Sequence, residues 1–321
     1  MALRTRLTER LGIRHPVLLA PMGYVAGGAL AAAVSAAGGF GLIGGGYAEA
    51  DWLEREFTAA GNQRIGCGFI TWALARTPDT LDLALCHFPA AVMLSFGDAA
   101  PYLPRIKAAG ALAICQVQSL EQARAVLALG ADILIAQGTE AGGHGGRRST
   151  LPLAPAVVDL VAGAGRSVPV VAAGGIADGR GLAAALMLGA DGVLMGTRFY
   201  AAEESLGAPA VKARLVAGEG DGTVRTTVFD IVRGRDWPAG FTGRALRNRF
   251  SAAWHGREAA LVAAGADERA RYAAAAAAGD PDTAVVFAGE GIDLIHAIEP
   301  AGAILERIVG EAERALARRF A

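Results

Sequence analysis

His144 lies in the run Gln137-Gly138-Thr139-Glu140-Ala141-Gly142-Gly143-His144-Gly145-Gly146, with two glycines before it and two after. Imidazole changes protonation near neutral pH, and small neighbours leave it accessible, so a histidine placed this way suits general acid–base work. The other histidines, at 15, 87, 255 and 296, sit in ordinary segments and read as structural or surface residues. Glycines cluster again at Ala173-Gly174-Gly175-Ile176 and Met195-Gly196-Thr197-Arg198. Bare backbone approaches a ligand closely, and free N–H groups near a helix start favour an anion. Read that way, Gly174, Gly175, Gly196 and Thr197 form a phosphate cradle; the plainer reading makes them tight turns. Gln116 and Gln137 supply amides that both donate and accept, as a planar cofactor with alternating polar edges requires. Met22, between Pro21 and Gly23, suits either core filling or contact with such a ring.

These residues need a frame that brings them together. Short apolar runs at 17–21, 41–43, 64–69, 91–95, 111–116, 132–136, 169–172 and 192–195 read as eight strands. Helical stretches near 29–37, 51–60, 78–86, 99–109, 119–129, 154–164 and 178–189 alternate with them, which implies a parallel sheet covered by helices. Leu129-Gly130-Ala131-Asp132 recurs as Leu188-Gly189-Ala190-Asp191, and Gly110-Ala111 echoes it. The repeat favours a closed (β/α)8 TIM barrel over an open doubly wound sheet. In a barrel the strand ends named above fall at one mouth. Residues 1–200 and 286–321 are expected to form the barrel, closed by an amphipathic helix at 301–319. Residues 201–285 read as a helical insertion over the mouth, or as a plain structural extension.

Composition narrows the chemistry. Thirty basic and 31 acidic residues give a net charge of −1, no electrostatic reason to expect nucleic acid or an anionic membrane as partner. Residues 16–48 carry no charge, yet Pro21 and repeated glycines cut the run below the length of a membrane span, and the mixed charges of the first ten residues are unlike a signal peptide. Cys67, Cys86 and Cys115 form no C-x-x-C pair, so reduced thiols in the cytoplasm are expected, and no metal site. The only lysines are Lys107, within a helical stretch, and Lys212, beyond the eighth strand, neither placed for Schiff-base chemistry. Residues 137–150 contain no cysteine nucleophile.

The histidine loop resembles the signature of the nitronate monooxygenase family, formerly called 2-nitropropane dioxygenases. Pro21-Met22, Ala33-Val34-Ser35-Ala36-Ala37-Gly38-Gly39, Ala173-Gly174-Gly175-Ile176 and Met195-Gly196-Thr197-Arg198-Phe199 resemble its other landmarks in the same order. The resemblance implies a non-covalent FMN, with its phosphate at Gly174, Gly175, Gly196 and Thr197. It implies flavin contacts from Pro21, Met22, Gly23, Gln116, Gln137 and Gly142, and it sets His144 facing the substrate. It further implies oxidation of an alkyl nitronate by O2 to a carbonyl compound and nitrite, in a chain that could form a homo-oligomer. Three positions depart from the family's usual pattern: Gly68 stands where an asparagine is common, no glutamine flanks Pro21-Met22, and Gly145 follows the histidine. Two other readings stay open. One is an NAD(P)H-dependent flavin reductase of the same superfamily, of the NADH:quinone or enoyl-acyl-carrier-protein type; the other is a flavin- or phosphate-binding module without catalysis.

Overall fold

The computed structural model describes residues 3–318. Eight parallel strands form the wall of a (β/α)8 barrel: β1 (Val17–Leu19), β2 (Leu42–Gly46), β3 (Gly66–Ile70), β4 (Ala91–Ser95), β5 (Leu112–Val117), β6 (Ile133–Gln137), β8 (Val170–Ala173) and β9 (Gly192–Met195). A short β7 (Gly143–Gly145) interrupts the chain order after β6, and β10 (Thr223–Thr226) and β11 (Thr242–Leu246) follow β9. The barrel order is β1-β9-β8-β6-β5-β4-β3-β2. Phe40, just before β2, closes the ring: its N–H donates to Val17 O at 3.0 Å and its carbonyl accepts from Leu19 N–H at 3.0 Å.

Side chains alternate across each strand, one set filling the lumen and the other meeting the helices. Leu18, Leu42, Met93, Ile114, Ile133, Ile135, Val171 and Leu194 pack inside, with Leu7 and Leu11 of the N-terminal helix Arg6–Leu11 in the same buried cluster. That helix floors the barrel at the end opposite the glycine-rich exits. The Gly-Ala-Asp repeat explains how it is held. Gly110, Gly130 and Gly189 take φ of 79°, 84° and 86°, ending their helices where a side chain would be strained. Asp191 then accepts Val170 N–H at 2.9 Å and a two-pronged contact from Arg6 at 2.8 and 2.7 Å. Asp132 repeats the arrangement with Ala113 N–H at 2.9 Å and Arg10 at 2.6 Å. Arg6 and Arg10 lie one helical turn apart, so one face of the floor helix meets both aspartates.

The segment after β9 is not purely helical. It holds helices Pro209–Val216, Val228–Arg233, Arg249–Trp254 and Glu258–Ala277, the last broken at Gly265, but also β10 and β11. These strands join β7 in an antiparallel sheet of order β10-β11-β7, with His144 opposite Gly243. Both strands carry an arginine mid-run, Arg225 and Arg244, and their partner strand is Gly-His-Gly, so no alternating apolar pattern marks the sheet. The terminal helix runs Ala301–Leu316; the expected end at 319 lies outside the described residues. Among the described residues no helix is long and apolar enough to cross a membrane.

Candidate active site

The strand exits converge on one cavity of about 440 Å³, within the range of cofactor sites. All eleven residues singled out from the sequence line it: Pro21, Met22, Gly23, Gln116, Gln137, Gly142, His144, Gly174, Gly175, Gly196 and Thr197. They do not all do so for the same reason.

At the exits of β8 and β9 the backbone is left open. Gly174 and Gly175 take φ of 110° and 71°, and the N–H groups of Gly175, Ile176, Gly196 and Thr197 find no acceptor among the described residues. Unpaired N–H groups on half-buried residues of one cavity suit an anion. A Cβ at Gly174 would come within 2.7 Å of Thr150 Oγ1 and 3.0 Å of Gly138 O, so this glycine is required by the protein itself. A Cβ at Gly196 would meet only Met22 Sδ at 3.4 Å and Ala20 Cβ at 3.5 Å, ordinary contacts within the cavity wall. Gly196→Val should therefore fold normally and lose most of its bound flavin, read as flavin absorbance per polypeptide after purification. Full occupancy in a folded variant would sink the cradle.

Gln137 is tied to the protein. Its Oε1 accepts from Gln118 Nε2 at 2.9 Å and Gln116 Nε2 at 3.2 Å, and its Nε2 donates to the carbonyl of His144 at 3.0 Å. The amide thus fixes β7 against the rim, while Gln116 keeps its Oε1 free for a ligand edge. Gly142 is bare because its neighbour is backbone: a Cβ there would reach Ala288 C and Gly289 N at 2.7 Å. The departures have similar causes. A Cβ at Gly68 would press on Pro21 at 2.5 Å, and one at Gly145 on the Arg225 guanidinium at 2.7 Å.

His144 is less accessible than its small neighbours imply: it is a buried strand residue, 8% exposed, clamped on three sides. Its Nε2 lies 2.9 Å from Asp230 Oδ2, and Asp230 Oδ1 is held by Arg233 at 2.8 Å. The Trp237 ring stacks on the imidazole at 3.4 Å and 5°, and Phe287 meets it edge-on at 5.4 Å. Two arginines secure the approach to β7: Arg225 and Arg244 each donate Nε–H to Thr139 O at 3.0 Å. Burial pulls the His144 pKa below its ordinary value, and Asp230 opposes that pull. The partner assigns the tautomer: a carboxylate takes the Nε2 proton, and the Nδ1 lone pair is left for the cavity.

The remaining wall is aromatic. Tyr24, Tyr47, Phe96, Trp237 and Phe287 line the cavity, and Tyr24 and Phe96 hold φ of 61° and 64°. Such strained backbone is kept where surrounding packing enforces it, commonly at functional sites. Sequence reasoning missed Asp230, Arg233, Trp237, Phe287 and Tyr47. Asp230 left one signal, a lone acid inside the apolar run Val228-Phe229-Asp230-Ile231-Val232.

The parallel barrel brings a buried histidine–carboxylate pair and the glycine-rich exits of β8 and β9 to one cavity, the setting of an enzyme active site. The chain belongs to the nitronate monooxygenase family, whose profile matches residues 4–63 and 70–311. It is 33% identical to a nitronate monooxygenase of Neurospora crassa, over 94% of this chain and 90% of that one. It is 42% identical over 72% of its length to the (3aS,4S,5R,7aS)-5-hydroxy-7a-methyl-1-oxo-octahydro-1H-indene-4-carboxyl-CoA dehydrogenase of Mycobacterium tuberculosis, and spans 65% of that protein, just under two thirds. Among solved structures it resembles FabK from Thermotoga maritima, with a TM-score of 0.84 and 33% identity, over 98% of this chain and 97% of that one.

Proposed function

We propose that this protein is an FMN-dependent oxidoreductase that oxidises alkyl nitronates with O2 to carbonyl compounds and nitrite. The observation that carries the reading is the His144–Asp230 pair facing an aromatic cavity above an anion cradle. The residues fit FMN: four backbone N–H groups at Gly175, Ile176, Gly196 and Thr197 suit one phosphate, Gln116 offers a free amide oxygen to a ring edge, and Pro21 and Met22 form a flat apolar wall. When bound, the flavin supplies the redox chemistry. The chain's own residues do the rest. Asp230 keeps the Nε2 proton, so His144 Nδ1 accepts a proton from the carbon beside a nitro group, and Trp237 and Phe287 keep water from the imidazole face. Aerobic assays with ethylnitronate and no nicotinamide should yield nitrite and acetaldehyde in equal amounts; no nitrite across short and long nitronates would sink the reading.

A second reading has one observation in its favour, the 42% identity to a dehydrogenase named for a CoA thioester. It shares the barrel, the cradle and His144, and differs in what fills the aromatic mouth. Oxidation of a thioester rather than a nitronate, with no nitrite formed, is its signature.

A further inference from the structure

We infer that Tyr47 binds the oxygen end of the substrate, as a hydrogen-bond donor held on the same indole as His144. Tyr47 follows β2 directly and lines the cavity. Its hydroxyl oxygen accepts the indole N–H of Trp237 at 3.2 Å. That bond uses a lone pair and leaves the phenol proton, which has no acceptor among the described residues. Burial pushes the phenol pKa up, so the proton stays on through neutral pH.

One indole ring fixes both groups. Trp237 carries His144 on its face, at 3.4 Å and 5°, and Tyr47 at its N–H edge. A base and a donor are thereby held against one indole in the cavity wall. A molecule that meets both has a carbon, acidic in a nitroalkane and already deprotonated in its nitronate, beside a planar pair of oxygens. The Arg235 guanidinium lies 4.0 Å over the Tyr47 ring and makes no ion pair among the described residues. A second guanidinium, Arg233, lines the cavity, and the Asp230 carboxylate offsets part of this charge at the phenol. The inference rests on the nitronate reading for the identity of the oxyanion, while the unspent proton stands on its own.

The test uses the flavin-loaded protein and inorganic nitrate, a planar oxyanion with no carbon to oxidise. Its dissociation constant is read from tryptophan fluorescence and from the flavin absorption band. Tyr47→Phe keeps the ring and loses the proton, and should weaken nitrate about tenfold or more, the usual worth of one hydrogen bond to a charged group. KM for ethylnitronate should rise in step while kcat stays within about twofold, the pattern of a lost uniform binding contact. Nitrate binding that Tyr47→Phe weakens supports the assignment even if the wild type leaves ethylnitronate unoxidised, a result that sinks the functional reading alone. Equal nitrate affinity in wild type and Tyr47→Phe, or no nitrate binding by the wild type, overturns it.

Discussion

Replacing His144 with alanine should slow oxidation of neutral nitroethane by roughly 10²–10⁴-fold, the usual worth of a positioned base, while ethylnitronate suffers far less. The difference follows from the proton. Nitroethane must lose one from carbon before it can be oxidised, whereas the nitronate has already lost it. His144 can take it because Asp230 holds Nε2–H at 2.9 Å and leaves Nδ1 unprotonated. Burial keeps the imidazole pKa below its usual 6.5, so the neutral base is the resting form through neutral pH. The rate with nitroethane should therefore be flat around pH 7 and above, and fall only on the acid side of 6.5 as His144 gains its proton. Flavin content must be matched between variants, since a loosened β7 that expels the cofactor would mimic a lost base. Equal losses on both substrates would assign His144 to binding instead; no loss on either, with flavin bound, would remove it from the chemistry.

Asp230→Asn should come near the same loss on nitroethane, about 10²-fold or more, although residue 230 does not touch the substrate. The asparagine keeps the size of the carboxylate but not its charge. Arg233 at 2.8 Å favours an oxygen on its side, which turns the amide nitrogen toward His144 Nε2. An N–H donor there asks Nε2 to accept, moves the ring proton to Nδ1 and blocks the base. The pH profile separates this from mere destabilisation. Asp230 raises the His144 pKa by hydrogen bond and by charge, so its loss should shift the acid limb of the nitroethane profile to lower pH. Wild-type rates with an unmoved acid limb would show that the pair is structural.

The barrel was readable because its strands are buried on both faces and form near-continuous apolar runs, and because the Gly-Ala-Asp repeat marks two passages from helix to strand, with Gly110-Ala111 echoing it at a third. Each of the eight expected strands corresponds to an observed one within a few residues. The cavity wall was readable for the same reason: a barrel gathers its strand exits at one mouth, so glycines and amides far apart in the chain could be assigned to one place. The catalytic surroundings were not readable. Asp230 meets His144 across 86 residues, and no local spacing encodes a contact of that range. The β10-β11-β7 sheet is hidden because its edge strand β7 is Gly-His-Gly, which has no strand propensity and is held by β11 and by Gln137. The glycines around His144, which suggested accessibility, instead let β11, Ala288 and Arg225 approach closely. Gln137 was recognised as a rim amide, but its satisfaction by Gln116, Gln118 and His144 emerges only from the folded arrangement.

In the function proposed above, the flavin takes its electrons from a nitronate and needs no nicotinamide. Anaerobic stopped-flow mixing tests it most directly, with the absorbance near 450 nm followed while the purified holoprotein meets ethylnitronate in one syringe and NADH or NADPH in another. The account predicts rapid bleaching by ethylnitronate, recovery of the band on admitting O2 with nitrite released, and only slow change with either nicotinamide. Rapid bleaching by NADH or NADPH with none by ethylnitronate would contradict it and make the protein a reductase.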